Sequence, residues 1–331
     1  MEGKQLARIG IEEIAKKAGV SAATVSRVLN HPELVNEKTR RNIIRIMRQM
    51  GYGALQCGKS NIILVIVPEA ENTFYQPIYS GIHAAAQRKN YQYIVRHSAR
   101  ASLPSERSIK ELVYAVNTAG ILLLAPATPD QISALEKYAP VVQCCECEPT
   151  PESFCVTIDD YKASYNMTWN LIKSGRRKFA FVNHTARYKY AKERRRGFEA
   201  ALREADIAWC SSWMLELNSF SFLQACSMLT QMFCAADSFP DAVVTVSDAY
   251  GAAAIKAAKE RGLRVPEDVA VTGFDNVNIC YMTDPALTTV SQPAFQMGNL
   301  ACELLLNRIE DPGSKPRQIV MDTEIIVRGS T

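Results

Sequence analysis

Long apolar runs are absent from this chain. The longest, residues 62–68 and 121–126, fall far short of the ~20 residues a helix needs to cross a bilayer, and residues 1–20 are charged and helix-like. Neither a membrane span nor an export signal is expected, so the expectation is a cytoplasmic protein with no membrane partner. Low-complexity tracts are missing too. A composition of 47% hydrophobic and 22% charged residues is that of ordinary folded domains and argues against disorder. Histidine is scarce: His31, His83, His97 and His184 are too dispersed in sequence to suggest a ligand set. The ten cysteines are scattered without a secretory context, which points to reduced thiols. Cys144 and Cys147 have the spacing of half a zinc site, but no second pair follows, so small buried side chains at a strand end are expected instead. No metal and no cofactor is expected. A nucleophile elbow, a zinc-protease motif and a dinucleotide fingerprint are also lacking, which argues against an enzyme.

What is present is uneven charge. The 331 residues are enough for two or three compact units, since domains run roughly 50 to 250 residues. The first sixty carry eleven Lys or Arg against five Asp or Glu, a net of +6, whereas the remainder has a net of −2. A basic head on a near-neutral body suits a polyanion, because phosphate contacts release condensed counterions. A merely solvated basic surface would look the same by charge alone.

Patterning inside the head separates those readings. Ile11, Ile14, Ala15 and Ala18 recur at helical spacing, and Gly19 stops that helix. Ser21 is a suitable cap for a second helix in which Val25, Val28 and Leu29 face inward and Ala22, Ala23, Ser26, Arg27 and Asn30 face outward. Asn36 can cap a third helix, with Ile43, Ile46, Met47 and Met50 inward and Arg40, Arg41, Arg45 and Arg48 in solvent. From residue 61 onward apolar strands alternate with amphipathic helices, the pattern of parallel sheets with crossover helices. Strands are expected at 62–67, 91–96, 120–124, 154–158, 178–182, 242–246 and 269–272.

The run IEEIAKKAGVSAATVSRVLN at 11–30, with VNEKTR at 35–40 and MGY at 50–52, resembles the DNA-binding head of the lactose-repressor/galactose-repressor family. The resemblance extends over nearly the whole chain and implies a transcriptional repressor: an all-α helix-turn-helix head, residues 1–52, a short linker, 53–61, and a two-lobed α/β periplasmic-binding-protein-like effector and dimerisation domain, 62–331. The chain would cross between the lobes near residues 160 and 290. Carried over by position, Ala22, Ala23 and Arg27 would meet base edges, with Ser21, Thr24, Asn30, Thr39 and Arg40 near phosphates of a palindromic operator. Arginine binds guanine O6 and N7 bidentately, whereas alanine offers only a contact to a thymine methyl, so Arg27 should dominate readout.

For the effector, the resemblance implies Phe74, Tyr75, Asp160, Arg194, Phe220, Ser247, Asp275 and Gln292, with Asp159 beside the first crossover and Asp248 ranked below Asp275. Arg194 and Asp275 stand out, because a guanidinium and a carboxylate can each bind a vicinal diol twice. Plainer readings stand beside these: a Phe74–Tyr75 pair as lobe core, Arg194 in a solvated basic run, Asp248 as the cap of a helix over 249–261. The segments ILVIVP at 63–68, FSF at 220–222, DPALTTVSQP at 284–293 and MDTEIIVRGST at 321–331 are most similar to a nucleoside-sensing branch of the family, so the expected effector is a nucleoside such as cytidine; a free pentose or hexose is the alternative. No leucine-heptad segment follows Thr331, and a homodimer is expected.

Two competing readings are weaker. GALQCGKS at 53–60 fits the phosphate-loop pattern of nucleotide hydrolases, but that loop must leave a strand and open a helix, whereas here a helix precedes and an apolar strand comes after. A periplasmic-type sugar-binding protein without DNA function is opposed by the basic head. The linker also departs from the family pattern, which places a DNA-ordered hinge helix with a leucine wedge there. Gly53, Gly58 and a single Leu55 make a stable hinge helix unfavourable, so a flexible tether, weak operator bending and reliance on a second DNA-bound regulator are expected.

Overall fold

The computed structural model describes residues 10–30, 34–50, 60–68, 72–98, 103–147, 150–234 and 239–331. Three short helices form the head: α1 (Ile11–Ala18), α2 (Ala22–Asn30) and α3 (Glu37–Met50). Gly19 adopts the left-handed conformation that ends α1. Ser21 accepts from Thr24 N at 3.2 Å and opens α2, and Asn36 accepts from Lys38 N at 2.9 Å at the start of α3. Ile14, Val25 and Ile43 are wholly buried at the centre. Ser26, expected on the outward face, is half-buried, because its place on the nine-residue helix lies close to the inward stripe. The phosphate-loop-like segment, except Ser60, and Leu55 of the expected linker lie outside the described residues; Ser60 leads into a strand.

The first lobe is built from β1 (Ile62–Val67), α4 (Tyr75–Arg88), β2 (Gln92–His97), α5 (Glu106–Val116), β3 (Thr118–Leu123), α6 (Pro129–Glu136), β4 (Val141–Cys144) and β5 (Cys155–Ile158). The second contains α7 (Asp160–Lys173), β6 (Phe179–His184), α8 (Lys189–Glu204), β7 (Met214–Leu217), α9 (Phe222–Cys234), β8 (Ala242–Thr245), α10 (Asp248–Glu260), β9 (Ala270–Asp275), α11 (Ile279–Met282) and β10 (Thr288–Ser291). The chain then returns through α12 (Ala294–Glu310) and β11 (Gln318–Met321) before β12 (Glu324–Ile326). Two six-stranded sheets result, ordered β11-β5-β4-β3-β1-β2 and β12-β10-β9-β8-β6-β7. Their central strands, such as the IILVIV of β1, are apolar on both faces because helices cover both sides.

The crossovers expected near 160 and 290 are those from β5 into α7 and from β10 into α12, and a third runs from β11 to β12. The sequence pattern does not reveal that third crossing, nor strands β4, β7, β10, β11 and β12. Each of these strands spans only three or four residues. Among the described residues β12 alone pairs antiparallel, against β10.

Close helix contacts set the layers around each sheet. In the first lobe α4 packs on α12, where a Cβ added at Gly298 would lie 2.2 Å from the Ile78 carbonyl oxygen. In the second, α8 packs on α7, where a Cβ at Gly197 would lie 2.2 Å from the Tyr161 carbonyl oxygen. These contacts fall on backbone that cannot swing away, so Gly298→Ala should cost ~1–3 kcal/mol and lower Tm. The control Gly313→Ala, whose nearest contact is the Asp311 side chain at 3.4 Å, should leave Tm unchanged in the same calorimetric scan.

Candidate functional site

On the head, Ser21, Ala22, Ala23 and Arg27 are exposed at the start and along the outer face of α2, and Thr24 is half-buried. The Ser21 and Thr24 hydroxyls bond one another at 2.8 Å. Arg27 has no ion-pair or hydrogen-bond partner among the described residues, so its guanidinium is available to an outside acceptor. Thr39 and Arg40 are half-buried in the first turns of α3, while Arg41 and Arg45 are exposed and engage Glu37 and Asn42 on their own helix. Asn30 ends α2.

The second site lies between the lobes, beside the strand ends, where open α/β sheets place their ligands. A cleft of about 750 Å³, bordered by Gln76, Phe220, Ser247, Asp275, Val277 and Gln292, narrows to a floor with about 30 Å³ of free space. Around that floor the fold gathers Phe74, Tyr75, Asp160, Arg194, Phe220, Asp275 and Gln292. Ser247 is set back from it. Its Oγ accepts from Tyr250 N, so Ser247 rather than Asp248 caps α10. Asp248 instead sits in the first turn, where its carboxylate accepts from Val277 N at 2.8 Å and from the Thr289 hydroxyl. Burial raises its pKa to about 6.

Arg194 is 5% exposed, which removes the solvated-helix reading. Its Nε donates to Asp160 Oδ1 at 2.9 Å and its Nη1 to the Val246 carbonyl at 2.8 Å. The guanidinium lies 3.4 Å from the Phe274 ring centroid and 4.8 Å from that of Tyr190. Asp275 Oδ1 is 3.8 Å from Arg194 Nη1 and accepts from Gln292 Nε2 at 2.7 Å. Asp275 Oδ2 has no protein donor among the described residues, and burial raises this carboxyl well above the usual range despite Arg194. Asp275 is held at φ +115°, a conformation rare outside glycine and found chiefly at functional sites. Arg194 thus anchors the first crossover through Asp160, and Asp275 anchors the second through Gln292.

Aromatic groups flank the polar floor. The half-buried ring of Phe220 lies parallel to His184, with centroids 4.6 Å apart and 8° between planes. His184 is wholly buried with no partner for either ring nitrogen among the described residues, and burial lowers its pKa to about 4, so it is neutral. The Phe74 and Tyr75 rings meet at 5.5 Å and are both buried. These two are lobe core and cleft lining at once.

Sequence reasoning missed Asn72, Cys145, Glu146 and Tyr190 at the floor. Tyr190 precedes Arg194 by one helical turn on α8 and could have been found by that i−4 spacing. Its hydroxyl is buried without a partner among the described residues. Glu146 lies in the loop after β4, and nothing in its local sequence marks it. Cys144, Cys147 and Cys155 are buried free thiols in or near β4 and β5, as expected of small core side chains.

Residues 10–54 match the family model of bacterial regulatory proteins, lacI family, and residues 169–331 that of the periplasmic binding protein-like domain. The transcriptional repressor CytR of Escherichia coli K12 is 31% identical over 336 residues, covering 99% of this chain and 98% of that protein. NtdR, an NTD biosynthesis operon regulator of Bacillus subtilis 168, is 30% identical over 97% of this chain and 99% of its own length. Among solved structures, the transcriptional regulator CelR in complex with cellobiose superposes with a TM-score of 0.74 at 27% identity, over 98% of this chain and 100% of that one. The chain belongs to the lacI family of bacterial regulatory proteins, and is a DNA-binding transcriptional repressor whose helix-turn-helix head is joined to a two-lobed effector-binding domain.

Proposed function

We propose that a homodimer of this chain reads a palindromic operator through α2, and that a neutral hydroxylated effector, a ribonucleoside such as cytidine, enters the cleft and relieves repression. The DNA half rests on the net charge of the first sixty residues and on the exposed Arg27, which has no partner among the described residues. Dimerisation gives two heads for two half-sites. A groove of the second lobe in which Phe222, Ile255, Ile279 and Met282, the last 78% exposed, alternate with Lys256, Lys259, Glu260 and Asp284 suits a second copy.

The effector half is carried by the chemistry of the cleft floor. Asp275 has one carboxyl oxygen without a donor among the described residues, open to a hydroxyl, and Phe220, stacked on His184 and Tyr250, lines the cleft with an aromatic group against which a base or ring can pack. Asp160 and Asp275 flank one guanidinium that is already engaged, and Glu146 lines the same floor. Among the described residues lining this floor none offers a phosphate an unengaged cation, so a neutral nucleoside fits it better than a nucleotide. The free-sugar reading draws on the likeness to the cellobiose-bound regulator.

Arg27→Ala should cost ~1–3 kcal/mol per half-site and relax preference at one base pair, while Arg40→Ala weakens operator and random duplexes alike. Fluorescence anisotropy with both duplexes checks this, and equal losses for Arg27→Ala would remove it as a base reader.

Titration calorimetry checks the effector. Cytidine should bind the wild type, its 2′-deoxy analogue about tenfold more weakly, and the 5′-monophosphate more weakly still, because an unpaired buried acceptor or a buried phosphate beside carboxylates is costly. Asp275→Ala should abolish detectable heat. Binding of a pentose or hexose with no heat from any nucleoside would move the assignment to sugars.

A further inference from the structure

Glu146 belongs to the first lobe, yet both its oxygens are used by the second. Its Oε2 accepts from Lys189 N at 2.8 Å and its Oε1 from Tyr190 N at 3.2 Å. These are amides of the first turn of α8, which have no partner within a helix. The residue before α8, Tyr188, provides no side-chain cap. The cap is supplied across the cleft, by a carboxylate only 5% exposed that also lines the floor of the site. The negative group is also on the favourable end of the helix dipole.

We propose that Glu146 is an inter-lobe latch and a positioning residue for effector binding: it holds the lobes together at the floor and fixes the start of α8, the helix that presents Tyr190 and Arg194 to the ligand. The proposal deepens the effector reading but does not depend on which ligand binds. A molecule seated on the floor either completes this contact or wedges it apart, so the contact couples occupancy of the site to lobe closure.

The latch also responds to protons. Burial raises Glu146 to about 7, against the partial compensation of the two backbone donors. The groups that face it are Asp160 on α7, which raises it further, Lys189 on α8, which lowers it, and Tyr75, Tyr190 and Cys145, neutral at pH 7. An opened, solvated Glu146 would titrate near the ordinary value of about 4.5. Closing the lobes therefore favours proton uptake between these two values. The contribution of Glu146 to the closed state is fully present below about 4.5 and is lost as pH rises through about 7.

Hydrogen exchange resolved to single amides tests this on the full-length, effector-free protein. In the wild type the Lys189 and Tyr190 amides should be protected, and Glu146→Ala should speed their exchange roughly tenfold while amides in the middle of α8 keep their rates. Glu146→Gln keeps an acceptor and carries no charge. It should restore part of the protection and remove the difference between pH 6 and pH 8 that the wild type shows after correction for intrinsic exchange. Equal protection at Lys189 and Tyr190 in wild type and Glu146→Ala would overturn the latch. An unchanged pH difference in Glu146→Gln would overturn its proton linkage. Neither outcome bears on whether cytidine binds, which is read separately by calorimetry.

Discussion

The position of one guanidinium governs the cleft. Arg194 is buried between two aromatic rings, bonded to Asp160 at one crossover and to the Val246 carbonyl at the end of β8, and 3.8 Å from Asp275. Asp275 in turn holds Gln292 at the other crossover. A buried ion pair adds little net stability over apolar packing, but leaving one partner alone costs ~3–5 kcal/mol. The cluster is therefore kept whole or rearranged as a unit. Because it ties together the segments on which the lobes turn, any ligand that inserts a hydroxyl among these groups acts on lobe geometry directly.

The head has a separate core, centred on Ile14, Val25 and Ile43. On the proposed reading, the cleft changes how two heads are held relative to one another, and a preference for one spacing becomes a preference for operator over other DNA. On that reading Arg27 supplies sequence information, while the remaining basic residues supply charge that is blind to sequence.

Much of this was legible in the sequence, for identifiable reasons. The helices of the head announce themselves through apolar spacing and through Gly19, Ser21 and Asn36 at their ends. The long buried strands show as runs such as residues 62–67. Phe74, Tyr75, Asp160, Arg194, Phe220, Asp275 and Gln292 converge on one floor. What was not legible depends on approach across the fold. Asp248 reads as a helix cap by its position, yet Ser247 takes that role and Asp248 turns to Val277 and Thr289, 29 and 41 residues away in sequence. Glu146 sits in a nondescript loop and gains its role only because the start of α8 comes to it. Strands of three or four residues at the sheet edges carry too little pattern to be read.

On the proposed reading one cleft ligand and operator DNA act on a common equilibrium. Such coupling is reciprocal: whatever factor the ligand takes from operator affinity, operator must take from ligand affinity. The direct measurement is cytidine binding to the free repressor and to the repressor saturated with operator duplex, alongside operator binding with and without saturating cytidine. The two factors should agree and both exceed one. Equal cytidine affinity for free and operator-bound protein would contradict that reading.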